Sequence, residues 1–176
     1  MTIAAALAVL PIGLILPSAA AVLLHETAHI AAIYAFGGGI ERIRFSPFGL
    51  TIEEKAGVSS YAADAAAALA GCAVNLISAG AAYLISGGSA FVYVSAIYGL
   101  FNLLPVSTLD GGQALAAIIH IFSNDPEKAG RVLKITSGVT VAVLWLAGVY
   151  LMLLPECGVS LFFMTIYLFS SIYLKR

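Results

Sequence analysis

Apolar residues run almost without interruption from Ile3 to Phe36, and similar runs return over residues 60–85, 90–104, 132–154 and 159–174, divided by short polar or glycine-rich segments. A hydrocarbon layer of about 30 Å takes about 20 apolar residues as a helix. The pattern therefore predicts an all-α polytopic membrane protein with about five to six transmembrane helices. Residues 3–16 are interrupted by Pro11 and Gly13 and, at about 1.5 Å per residue, fall short of that thickness, so they are read as a tilted or partial span. Pro17 suits the first turn of a helix running from about residue 18 to Phe36, and Gly37, Gly38 and Gly39 end it.

Between Ile40 and Glu54 the period changes from helical to two: Ile40, Ile43, Phe45, Leu50 and Ile52 are interleaved with Glu41, Arg42, Arg44, Thr51 and Glu53. Ser46, Pro47 and Gly49 stand where a type I turn favours them, which predicts a small membrane-surface β-hairpin. Such a hairpin could hold an extended peptide along an edge strand or serve only as a solvated connection. Both readings stand at this level.

The run from about Ser60 to Ile85 is rich in alanine and glycine, the residues that let membrane helices approach closely. Asn75 sits near its middle, where an amide can bond a neighbouring helix or contact a substrate. Asp64, at its start, is read as interfacial. Gly87, Gly88 and Ser89 turn the chain into a span from about Ala90 to Leu104, closed by Pro105. Asp110, Gly111 and Gly112 then open a shorter apolar helix reaching about Phe122, in which the solitary His120 is read as interfacial. Residues 123–134 read as a polar loop whose Asn124-Asp125-Pro126-Glu127 could cap a helix. Two further spans are joined at Pro155-Glu156-Cys157-Gly158.

Charge sharpens this layout. Only 10% of the 176 residues are charged and the net charge is -1, which leaves no basic excess for nucleic acid. All eight cations lie in three places: Arg42, Arg44 and Lys55; Lys128, Arg131 and Lys134; and Lys175 with Arg176. By the positive-inside rule these segments, the C-terminus included, are cytoplasmic, and the turns at 87–89 and 155–158 face outward. The expected location is the cell membrane, with multiple passes. The first 41 residues hold no Lys or Arg, so the positive start of a signal peptide is missing and the N-terminus is read as retained. Cys72 and Cys157 lack paired metal-ligand spacing and suggest no disulfide.

The chemistry concentrates at His25-Glu26-Thr27-Ala28-His29. Residues four apart share a helix face, so both imidazoles can serve one metal ion, zinc above all. Glu26 beside them can take a proton from a water at that metal, the metalloprotease arrangement. Three ionisable side chains within five residues of an apolar helix are costly to keep in hydrocarbon and mark a functional site. A tetrahedral zinc needs a third protein ligand. Asp110 is the candidate, because it adjoins a helix break at membrane depth and, with Glu26, neutralises a dication; it could also cap the helix it opens.

Together with Asn102-Leu-Leu-Pro105-Val-Ser-Thr-Leu-Asp110-Gly111, the His25 to His29 motif resembles the paired signatures of site-2 proteases, zinc enzymes that cut inside membranes. Residues 46–54 are similar to the corresponding loop in the branch of the bacterial stage IV sporulation processing protease. The resemblance implies that His25, His29 and Asp110 hold one zinc, that Glu26 is the catalytic general base, and that Asn102 binds substrate or the developing oxyanion. Asn75 would join the substrate site, although Gly71-Cys72-Ala73-Val74-Asn75 departs from the family's usual G-P-x-x-N. It also implies a single membrane-embedded domain over residues 1–176, acting from the cytoplasmic side on transmembrane or membrane-tethered proteins. No PDZ or CBS module is expected, which leaves regulation to a separate membrane protein. Two rivals remain. A metal or proton transporter would also bury His, Asp and Glu, but has no need of Glu26 between two ligands, and no inverted repeat is visible. A catalytically silent scaffold would have little reason to keep both motifs intact.

Overall fold

The computed structural model describes residues 11–46, 49–54, 60–123, 125–153 and 169. Its elements, in chain order, are α1 (Ile12–Ala35), β1 (Ile40–Ser46), β2 (Gly49–Glu54), α2 (Tyr61–Ser86), α3 (Ala90–Asn102), α4 (Asp110–Ser123) and α5 (Pro126–Met152). The expected span over 159–174, apart from residue 169, the turn residues Pro47 and Phe48, and Cys157 lie outside the described residues. Three of the described helices, α1, α2 and α5, are long and apolar enough to cross a membrane. By contrast α3 and α4, with 13 and 14 residues, rise only about 20 Å.

The chain divides into two compact units, Met1–Leu103 and Leu104–Arg176. In the first, α1, α2 and α3 each pack against the other two. The stripe that α2 buries is Ala65, Ala67, Gly71, Cys72, Asn75 and Ala79, and α3 answers with Val92, Ser95, Gly99 and Asn102. These are helical spacings of small residues. They let the backbones close up: a Cβ added at Gly99 would lie 3.1 Å from Asn75 Cβ and 3.2 Å from the Cys72 carbonyl oxygen. Large side chains point the other way, with Ile77 70%, Leu84 86% and Ile97 66% exposed. In water, burying such side chains would drive folding, whereas in lipid they already face an apolar solvent and helices associate through small residues.

Two of the sequence expectations need correction here. The helix bearing the histidines starts at Ile12, so Pro17 lies inside it rather than in its first turn. A proline lacks only its own N–H, and the carbonyl thereby left without a helical donor is that of Gly13, close to the helix start. The second correction concerns residues 126–134, which are helical rather than a polar loop. Asp125 caps α5 by accepting from the backbone N–H groups of Glu127 at 3.0 Å and Lys128 at 3.2 Å, and Pro126 sits at the first position, where a missing N–H is harmless. Other helix ends follow local chemistry. The Ser60 hydroxyl accepts from Ala63 N–H at 3.2 Å, and Gly37 and Gly87 take φ of 79° and 69° where α1 and α2 stop.

Residues 40–54 form two antiparallel strands, with Ile43 opposite Ile52, Arg44 opposite Thr51 and Phe45 opposite Leu50, and a register shift between Ile40 and Arg42.

In the second unit α4 packs against α5. The 104–109 segment folds into a compact turn: Leu109 N–H donates to the Val106 carbonyl at 2.8 Å and Gly112 N–H to the Leu109 carbonyl at 3.1 Å. Val106 is fully buried, and a Cβ on Gly112 would collide with its carbonyl group. The Ser107 N–H donates to Oγ of the buried Ser137 on α5 at 2.9 Å, which ties the loop leading to Asp110 to its own unit.

Gly99→Leu should lower the thermal midpoint of the detergent-solubilised protein, at a cost of roughly 1–3 kcal/mol from overpacking, while Ile97→Leu on the outward face leaves the midpoint in place.

Candidate metal centre

The helical period sets His25 and His29 on one stripe of α1, and α2 covers that stripe. His25 is 2% exposed; Glu26 and His29 are half-buried. The two imidazoles meet edge to face, with centroids 4.6 Å apart and planes at 81°. Their Nε2 atoms come within 3.0 Å of each other. Two nitrogen lone pairs at that separation repel unless a proton or a cation lies between them. A tetrahedral zinc with Zn–N bonds of about 2.0–2.1 Å separates two nitrogen ligands by about 3.4 Å, so the pair fits such an ion with a small adjustment.

The tautomer of His29 follows from its other nitrogen. Nδ1 lies 2.7 Å from the carbonyl oxygen of Ala67 on α2. A carbonyl only accepts, so Nδ1 carries the hydrogen and Nε2 presents its lone pair. A backbone carbonyl on a ligand histidine is the usual device for fixing ring orientation and raising basicity. The ring of His25 is held differently, edge-on to Tyr98 of α3 with centroids 4.9 Å apart and planes at 71°. Behind both rings stands Gly71: a Cβ there would run into His29 Nε2 and lie 2.8 Å from Cε1 of His25. Thr27 is exposed, and its hydroxyl bonds back to the Leu23 and Leu24 carbonyls at 2.7 and 3.0 Å.

The remaining expected site residues fall as follows. Asn75 is fully buried on α2, and neither atom of its carboxamide has a hydrogen-bond partner. Its backbone carbonyl, by contrast, accepts from the hydroxyls of Ser78 at 3.1 Å and Ser95 at 3.0 Å. Asn102 ends α3, buried, with Nδ2 donating to the Tyr98 carbonyl at 3.0 Å. Asp110 is the first residue of α4, in the second unit, and is half-buried.

Two residues at the histidine pair carried no warning in the sequence. Tyr98 looked like one more apolar position of a span. Cys72 looked inert, yet it is 1% exposed and its Sγ lies within 4.8 Å of a ring nitrogen of His25. The available signal was helical phase, since Cys72 shares the buried face of α2 with Ala65, Ala79 and Asn75. Gly71→Ala should push the imidazoles off their common point. The expected outcome is metal binding at least about ten-fold weaker, read as zinc content after dialysis, with helical circular dichroism unchanged.

Residues 88–147 match the sequence model of peptidase family M50. No curated protein sequence matches the chain. Among solved structures, the chain is similar to the site-2 protease from Methanocaldococcus jannaschii, with a TM-score of 0.67 at 20% identity, over 93% of this chain and 77% of that one. The family's sequence model thus matches across α3, α4 and much of α5, and the chain shares the fold of a site-2 protease along nearly its whole length.

Proposed function

We propose that this chain is an intramembrane zinc endopeptidase in which His25, His29 and Asp110 hold one zinc ion and Glu26 is the general base. The observation that carries the reading is the convergence of two imidazole Nε2 atoms to 3.0 Å on an apolar helix, one of them made an acceptor by the bond of its Nδ1 to the Ala67 carbonyl, and Glu26 next in sequence to the first.

Bound there, zinc supplies Lewis acidity, which makes a water acidic near neutral pH and polarises the scissile carbonyl. Glu26 accepts the proton of the attacking water and delivers it to the leaving amine. Half-burial suits that exchange, because the carboxylate keeps access to water while the low dielectric around it strengthens each interaction. Asn102 and Asn75 are the groups assigned to substrate. The carboxamide of Asn75, buried with both polar atoms unsatisfied, would recover hydrogen bonds worth about 1–3 kcal/mol by meeting a peptide backbone. Substrates are membrane-embedded or membrane-tethered proteins, whose helix must unwind before its peptide bond is accessible, and the strands at 40–54 offer an edge to hold the unwound segment. The distribution of cations assigns the active site to the cytoplasmic side of the cell membrane. A separate membrane protein is the expected regulator.

The test is cleavage of a transmembrane substrate by the purified protein in lipid vesicles. Glu26→Gln should retain stoichiometric zinc and lose at least about 100-fold in turnover, the lower end of what general acid–base catalysis contributes. Equal turnover by both forms would remove Glu26 as base, and zinc flux into the vesicles without cleavage would make the chain a transporter. Removing the metal with a strong chelator should abolish cleavage, and added zinc should restore it in the wild type but not in His25→Ala or His29→Ala.

A further inference from the structure

Among its described residues α5 buries Ala129, Ser137, Val141 and Gly148, whose spacing puts them on one face of the helix. Alanine, valine and glycine are what a packed membrane helix uses there. Ser137, 0% exposed, is the exception. Hydroxyls on such helices commonly bond back to a carbonyl of the preceding turn, as Ser123 does to Ile119 at 2.8 Å and Thr136 to Leu133 at 3.1 Å. Oγ of Ser137 instead accepts from the backbone N–H of Ser107 at 2.9 Å, thirty residues away along the chain.

That bond completes the turn that leads to Asp110. Within it, Val106 N–H donates to the Leu104 carbonyl at 2.7 Å, Leu109 N–H to Val106 at 2.8 Å and Gln113 N–H to Leu109 at 3.2 Å. The Ser107 N–H reaches outside the turn, to α5. On either side the backbone has little room to shift, since Val106 is fully buried and Gly112 lies against its carbonyl group. Asp110 follows Ser107 by three residues and opens α4. One hydroxyl on α5 therefore anchors the backbone from which the Asp110 carboxylate projects.

We propose that Ser137 is a positioning residue for Asp110, holding the 104–109 turn in the conformation from which the carboxylate reaches the metal ion. The inference rests on the assignment of Asp110 as a ligand and deepens it. It adds no donor, so three protein ligands still leave one position for water. Coupling of this kind is reciprocal: metal bound at Asp110 strengthens the Ser137 bond by the factor that the bond strengthens metal binding.

Zinc affinity of the full chain in detergent micelles, measured by competition with a chromophoric chelator, tests this without any measurement of activity. Ser137→Ala should weaken binding about ten-fold, the lower end of the effect of losing a group that orients a ligand. Asp110→Asn should also weaken it, and adding Ser137→Ala to Asp110→Asn should cost nothing further, because the path runs through the carboxylate. An equal loss in both backgrounds would make Ser137 a packing residue and overturn the inference, as would no loss in Ser137→Ala. An Asp110→Asn protein that binds zinc as tightly as the wild type would remove Asp110 as a ligand, and the inference with it. Amide exchange gives a second reading that needs no variant at Ser137. Zinc should slow exchange of the Ser107 N–H about ten-fold in the wild type, by the same reciprocity, and leave it unchanged in Asp110→Asn. A Ser107 amide indifferent to zinc in the wild type would overturn the inference.

Discussion

The contact on which the site depends is the approach of α2 to α1 at Gly71, where the backbone of one helix forms the wall against which two imidazoles of the other are set. One turn earlier on the same helix, the Ala67 carbonyl takes the Nδ1 hydrogen of His29. Distance and tautomer are thus controlled from a single strip of backbone. Backbone atoms serve this purpose better than side chains, since they lose no rotamer freedom on ordering and cannot swing aside. Any side chain larger than hydrogen at position 71 would occupy the space that the rings use.

That approach is possible because the first unit is packed with small residues inside and large ones outside. Alanine, glycine, serine and cysteine fill the seams among α1, α2 and α3, and leucine, isoleucine and tyrosine cover the exterior. With no hydrophobic drive between helices in lipid, close packing and interhelical hydrogen bonds hold them. The hydroxyl of Ser95 on α3 donating to the Asn75 carbonyl on α2 is one such bond. It takes up the carbonyl of Asn75 while the carboxamide of the same residue stays unsatisfied, a cost that a structural helix would shed by carrying alanine or leucine there.

The second unit applies similar physics to a loop. Asp110 opens α4 after a turn fixed by the buried Val106, by Gly112 against the Val106 carbonyl, and by Ser107 N–H on Ser137. A carboxylate at a helix start, preceded by a turn with its backbone groups engaged, is held more closely than one on an unrestrained loop.

Much was legible in the sequence because it depends on local period and residue type. The apolar runs marked the helices, the change to a two-residue period marked residues 40–54, and the four-residue spacing of His25 and His29 placed two imidazoles on one face before any neighbour was known. Helix starts were less legible. Pro17 and the 123–134 stretch carry signals that mean one thing at a helix end and another inside it, and only the surrounding structure selects between them. What tertiary structure alone decided is which atoms outside the motif lie around the histidines: the Ala67 carbonyl, the bare Cα of Gly71, the ring of Tyr98 and the sulfur of Cys72. Those four residues are forty to seventy positions away along the chain and look like ordinary membrane-helix composition. Their role comes from the rotation and depth of one helix against another, quantities set by the fit of two whole surfaces, which no window of sequence contains.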